Sequence, residues 1–196
     1  FTMLSGERLF SLYNLANQAG PGSFVECGVW KGGSAALLAY QMKQRKEPWQ
    51  VFACDSFQGL PAPTSLDVHQ GVQAEDEPKK DRCAASRWYL DQVCSELAVA
   101  HLVVPVEGWF DRTLPIARRR MWPISLLHMD SDWYESTWTI LRNLYDNLAD
   151  RAFVQIDDYY YWDGCRAAVE EFQSERKLKF ELTRIDESGA WFRKPR

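Results

Sequence analysis

Phe24-Val25-Glu26-Cys27-Gly28-Val29-Trp30-Lys31-Gly32-Gly33-Ser34 runs from an apolar stretch of strand length into a glycine-rich turn. The Ala/Leu-rich segment Ser34 to Gln44 that follows is patterned as a helix. Strand, turn and helix in that order form one unit of a parallel sheet, and the same order recurs downstream. Val51–Cys54, His101–Pro105, Ile124–Met129 and Phe153–Ile156 read as further strands. Helices are expected over about 81–97, then over 111–120, 135–148 and 162–177. The strands at 124–129 and 153–156 are apolar enough to be buried on both faces.

Upstream, Ser5 to Gln18 places Leu9, Leu12, Tyr13 and Leu15 at helical spacing, and Gly20-Pro21-Gly22 ends the pattern. Downstream, Lys179–Arg184 and Ala190–Arg193 flank the turn Ile185 to Gly189, which implies a hairpin and one antiparallel strand at the sheet edge. The expected fold is therefore α/β: a mainly parallel seven-stranded sheet with one antiparallel edge strand and helices on both faces. The stretch 56–80, with Gly59, Pro61, Pro63, Gly71, Pro78 and scattered acids, has no periodicity and is read as a lid loop.

The chain has 196 residues, 46% of them hydrophobic and 14% aromatic, enough for one substantial core, so 1–196 is expected to form a single domain with residues 1–20 as an N-terminal helix. A formal net charge of −4 and a basic run no longer than Arg118-Arg119-Arg120 argue against nucleic acid as partner. No apolar run approaches the ~20 residues that span a bilayer, so a cytoplasmic protein without a membrane partner is expected. Five cysteines without a Cys-x-x-Cys pair read as buried thiols, not as a zinc site. The opening Phe1-Thr2-Met3 reads as though sequence precedes it or the chain belongs to a larger polypeptide.

In open α/β sheets a ligand lies beyond the carboxyl ends of the strands. Gly28 to Ser34 at the first such end permits close backbone approach to a ligand beside a helix N-terminus, although it matches neither dinucleotide nor phosphate-loop spacing. Asp55 ends the second strand, where a carboxylate can accept both hydroxyls of a ribose, and together these features suggest an adenosine-bearing ligand. Asp130-Ser131-Asp132 and Asp157-Asp158 end the fourth and fifth strands. Carboxylates so close repel by about 4 kcal/mol per pair at an effective dielectric near 20, so they stay ionised only around a cation such as Mg²⁺, Ca²⁺ or Mn²⁺. The competing reading is helix capping, with Asp132 the foremost candidate. Aromatic residues crowd the same edge, at Trp109-Phe110, Trp133-Tyr134 and Tyr159-Tyr160-Tyr161-Trp162, and half of them are expected in the core.

Phe24 to Ser34, Asp55-Ser56-Phe57-Gln58-Gly59-Leu60-Pro61, Glu107-Gly108-Trp109-Phe110, His128 to Thr137, and Asp157-Asp158-Tyr159 with Trp162, Gly164 and Arg166 resemble the macrocin-type sugar O-methyltransferases of macrolide and aminocoumarin biosynthesis. The resemblance implies a Rossmann-like class I methyltransferase fold that uses S-adenosylmethionine and Mg²⁺. It implies Mg²⁺ at Asp130, Asp157 and Asp158, and the cofactor along Glu26, Gly28 and Ser34, with Asp55 and Ser56 at its ribose. Two departures stand out: the family usually has more sequence ahead of Phe1, and Asp150-Arg151 replaces a usual Gly-Gly.

The expected reaction is transfer of a methyl group to a hydroxyl of a small-molecule acceptor, a sugar or glycoside, with Asp130 or Asp132 as general base and His128 a weaker candidate. Homo-oligomerisation is left open by the sequence. The alternatives are a metal-dependent phosphatase or glycosyltransferase-like enzyme, and a non-catalytic methyltransferase-fold domain of a larger polypeptide.

Overall fold

The computed structural model describes residues 1–74 and 83–195. Its elements in chain order are α1 (Gly6–Gln18), β1 (Ser23–Cys27), α2 (Gly33–Arg45), β2 (Val51–Asp55), β3 (Val68–His69), β4 (Val72–Gln73), α3 (Trp88–Glu96) and β5 (Val103–Glu107). There follow α4 (Phe110–Met121), β6 (Ile124–Met129), α5 (Tyr134–Leu144), β7 (Leu148–Ile156), α6 (Asp163–Arg176), β8 (Thr183–Arg184) and β9 (Ala190–Arg193). Seven strands form one sheet in the order β5-β2-β1-β6-β7-β9-β8. The first five are parallel, β9 runs antiparallel to β7, and β8 pairs antiparallel with β9 at the edge.

Every residue of β1 and β6 is buried, which is why both read as mainly apolar, interrupted only by Ser23 and Glu26 in one and Ser125 and His128 in the other. Successive side chains alternate between two core layers. Val25, Leu127 and Val154 face Leu114 of α4, Ile140 of α5 and Phe172 of α6. Phe24, Leu126 and Phe153 face Leu15 of α1, Leu38 of α2 and Leu90 of α3. Full burial of such side chains contributes roughly 1.5–3 kcal/mol each.

The expected elements stand, with shifted ends. The helix expected to begin near residue 81 is described from Trp88, residues 81 and 82 lying outside the described part. The fifth strand starts at Leu148, and the helix before it closes with a 3₁₀ turn over Tyr145–Asn147. The region expected as an irregular loop contains the small antiparallel hairpin β3–β4. No helix among the described residues is long and apolar enough to cross a membrane.

Chain order along the sheet reverses between β1 and β6, so α2 and α5 leave in opposite directions and a crevice opens above the strand ends.

Candidate active site

The backbone ladders run on past the strand ends and set the site residues side by side. Gly108 N–H donates to the Asp55 carbonyl (2.8 Å), Gly28 N–H to Cys54 (3.0 Å), Asp130 N–H to Cys27 (2.8 Å) and Asp157 N–H to Met129 (2.9 Å). Gly28 has φ +92°, and a Cβ there would collide with the Asp130 carbonyl. Glycine thus lets the first and fourth strand ends close on each other.

Above this row lies a cavity of about 360 Å³, within the size range of small-ligand sites. Gly28, Asp55 and Ser56 line it, as do Asp130, Ser131 and Asp132. Trp30, Trp109 and Phe110 give it an aromatic wall. Glu135 contributes a further carboxylate from the start of α5. Trp133, Tyr159 and Trp162 are buried in the core instead, three of the eight aromatic residues at this edge against the half expected.

Asp55, expected at a ribose, has a structural task as well. Its Oδ2 accepts the N–H groups of Val29 (2.6 Å) and Trp30 (2.9 Å), and its Oδ1 accepts that of Phe57 (2.6 Å). A carboxylate offers about four acceptor positions, so most of its capacity already holds the glycine turn against the second strand end. Glu26 and Ser34, expected along the cofactor, are buried and are not among the lining residues. Glu26 lies one residue below the strand end and binds His128 Nδ1 through Oε1 (2.7 Å).

The acids converge as anticipated, in a different grouping. Ligand atoms within 4.8 Å of one another form two sets among the described residues: Asp130, Asp132 and Asp158, and His128, Asp130 and Asp157. The trio Asp130, Asp157 and Asp158 is divided between two sets that share Asp130. Burial first, then neighbouring carboxylates, push Asp130 and Asp158 well above the usual carboxylate range. Asp157 Oδ1 and Asp158 Oδ2 are buried with no hydrogen-bond partner among the described residues. The all-carboxylate set of Asp130, Asp132 and Asp158, with an Asp158 oxygen buried and without a hydrogen-bond partner among the described residues, is a hard oxygen donor set that fits a divalent cation.

Two basic groups flank the cluster. Arg8 of α1 donates through Nη1 to Asp157 Oδ2 and through Nε to Asp186 Oδ2 (2.9 Å), in the turn before β9. His128 is fully buried, with Nε2 3.9 Å from Asp157 Oδ1. Burial alone would lower its pKa, but Asp157 and Glu26 raise it to about 10. Its ring is thus held charged beneath the cavity and is not among the cavity's lining residues.

Asp132 does not occupy the cap position of α5. Helix α5 starts at Tyr134 with Trp133 in the cap position, and the Tyr134 N–H is taken by Asp67 Oδ1 (2.7 Å). Asp132 stands one residue earlier, in left-handed backbone (φ +56°), and lines the cavity. Arg8, Asp67 and Glu135 were not anticipated. The first two act through partners remote in sequence, and Glu135 carried only the pattern of a first-turn acid.

This fold is that of a class I methyltransferase. The structure superimposes on the O-methyltransferase NovP with a TM-score of 0.84 and 30% identity, covering 100% of this chain and 82% of NovP. The family model described as macrocin-O-methyltransferase (TylF) matches residues 1–194, and the chain belongs to that family. It is 32% identical over 191 residues to demethyldecarbamoylnovobiocin O-methyltransferase of Streptomyces niveus, covering 90% of this chain and 67% of that protein. It is 31% identical over 215 residues to mycinamicin III 3''-O-methyltransferase of Micromonospora griseorubida, covering 98% of this chain and 78% of that protein. The phosphatase and glycosyltransferase readings give way to this membership.

Proposed function

We infer that the protein transfers the methyl group of S-adenosylmethionine to a hydroxyl of a small-molecule glycoside, with a divalent cation, Mg²⁺, held by Asp130, Asp157 and Asp158. The observation that carries the reading is that Asp130 meets Asp132 and Asp158 in one group and Asp157 in another, beside a cavity walled by Trp30, Trp109 and Phe110. The relatives named above, O-methyltransferases of demethyldecarbamoylnovobiocin and of mycinamicin III by name, support a natural-product acceptor.

Methyl transfer from a sulfonium is an in-line displacement that requires alignment and a deprotonated acceptor oxygen. The aromatic wall offers ring faces to a sulfonium and to adenine, while Gly28 admits the cofactor against the backbone. Asp55 and Ser56 stand at the second strand end to meet the ribose, Asp55 with the acceptor capacity its backbone bonds leave over. A cation held by these acids would lower the acceptor hydroxyl's pKa as a Lewis acid. Asp132 receives the hydroxyl proton, because Asp130 is shared by both ligand sets while Asp132 belongs to one and faces the cavity. The methyl carbon leaves sulfur as the acceptor oxygen attacks, giving a methyl ether and S-adenosylhomocysteine.

The test is to incubate the protein with S-adenosylmethionine, Mg²⁺ and a panel of glycosides bearing adjacent hydroxyls, and to look by mass spectrometry for the gain of one methylene. Turnover lost in EDTA and restored by Mg²⁺ is the expected result. Full activity in EDTA would overturn the metal role, and failure to bind S-adenosylhomocysteine would overturn the reading itself.

A further inference from the structure

Asp67 is a wholly buried carboxylate inside the segment expected to be a loose lid. Its Oδ2 accepts from both the N–H (2.6 Å) and the hydroxyl (2.9 Å) of Thr64, and its Oδ1 accepts the Tyr134 N–H (2.7 Å). Its own backbone closes the segment, donating to the Thr64 carbonyl (3.1 Å) and accepting from Ala74 (2.9 Å). Neither α5 nor α6 has a side-chain cap from its own cap residue, and Asp67 lies against the first turn of both. At Gly164, the second residue of α6, any Cβ would collide with Asp67 Oδ1, so glycine is needed for the carboxylate to seat. Two helix N-termini offer the partial positive charge that a buried anion requires.

The adjoining residue makes a second tie: Trp133 Nε1 donates to the Pro61 carbonyl (3.0 Å). Trp133 and Tyr134, directly after Asp132, therefore hold the segment at Pro61 and at Asp67. Between its start and Pro61, that segment supplies Gly59, Leu60 and Pro61 to the cavity wall.

We propose that Asp67 is a positioning residue for methyl transfer, stapling the cavity wall at Gly59–Pro61 to the Asp130–Asp132 turn so that acceptor wall and carboxylates keep a fixed spacing. The proposal rests on the function inferred above. Asp67 touches no reacting atom and acts through Tyr134 and Thr64. Loosening the staple costs alignment, where displacements of about 1 Å change rates by about 10²-fold, more than it costs cofactor binding.

Two variants test it by independent routes. Asp67→Asn removes the charge at constant volume, and Gly164→Ala keeps the carboxylate but unseats it. Each is compared with the wild-type protein by hydrogen exchange of segments 57–69 and 130–136, by calorimetry with S-adenosylhomocysteine, and by kcat and KM for the glycoside found in the mass-shift screen. Both variants are expected to exchange faster in the two segments together, with β1 and β6 still protected. S-adenosylhomocysteine affinity should stay within about threefold, while kcat falls by about 10²-fold. Unchanged exchange at 130–136, wild-type kcat in either variant, or loss of protection throughout the sheet would overturn the positioning role. The exchange experiment needs neither cofactor nor acceptor, so a protein with no methylation activity would sink the functional reading and leave the staple to be decided separately.

Discussion

Arg8 binds one carboxylate oxygen of Asp157 and leaves the other, Oδ1, buried without a hydrogen-bond partner among the described residues. Through Nε the same guanidinium holds Asp186 at 2.9 Å, so one side chain of α1 ties the end of β7 to the turn before β9. Its side chain is 16% exposed, Asp157's 6% and Asp186's 17%, so little solvent screening weakens either pair. Arg8→Ala leaves Asp186 without its cation and Asp157 with His128 alone, 3.9 Å from its other oxygen, and is expected to lower the unfolding free energy by about 3 kcal/mol. Arg8→Lys, a point charge that cannot fork between two carboxylates, should fall between. Urea titrations with an unchanged slope would register both. An Arg8→Ala protein with the wild-type midpoint would show that the pair contributes nothing.

Asp186 gives the fold a defined acid sensitivity. Burial alone would raise its pKa, but the N–H groups of Gly189 and Ser188, the Ser5 hydroxyl and Arg8 overcome this and hold it at about 2. A depressed carboxylate contributes stability above its unfolded value near 3.8 and loses it as pH falls toward 2. The contribution is about 2 kcal/mol. Denaturation between pH 5 and 2 should therefore show a shallower pH dependence in Asp186→Asn than in the wild type. Parallel curves would disprove it.

The parts of the molecule legible in its sequence are those whose physics is local. β1 and β6 declare themselves because strands covered on both faces are mainly apolar, the polar exceptions Glu26 and His128 being paired with each other. Asp130, Asp132, Asp157 and Asp158 were found because strand order places them at one sheet edge. Arg8 and Asp67 were not, since the partners that tie them to the site, Asp157 and Tyr134, lie 149 and 67 residues away. The small hairpin was within reach: Gln70 and Gly71 both take positive φ, 50° and 82°, the conformation of a tight two-residue turn. Its strands, two residues each, are too short to show alternation. Asp55 was found for a ligand-facing reason and proves also to be a backbone clamp, which side-chain chemistry at a strand end does not reveal.

That clamp has a measurable consequence. Asp55→Ala removes the acceptor for Val29, Trp30 and Phe57, and leaving such amides poorly satisfied should cost about 2–4 kcal/mol in stability. Because the glycine turn would relax, S-adenosylhomocysteine affinity should fall in the same variant. Thermal melts read the first effect and calorimetry the second. A variant that melts like the wild type yet binds no cofactor would assign Asp55 to the ribose alone.

Asp158 separates the cost of the acid cluster from its use. Burial and the charges of Asp132, Asp157 and Asp130 push its pKa well up, so without a cation this side chain destabilises its neighbours in the ionised state. Asp158→Ala removes one repelling group, and in EDTA the variant is expected to melt at or above the wild-type temperature. With Mg²⁺ the order should reverse, because an ion that binds only the folded wild type stabilises it by about 2.7 kcal/mol at 100 times its dissociation constant. The variant, short of one ligand, should gain far less. Equal Mg²⁺-induced shifts in the two melting curves would mean that the carboxylates at the ends of β6 and β7 hold no ion.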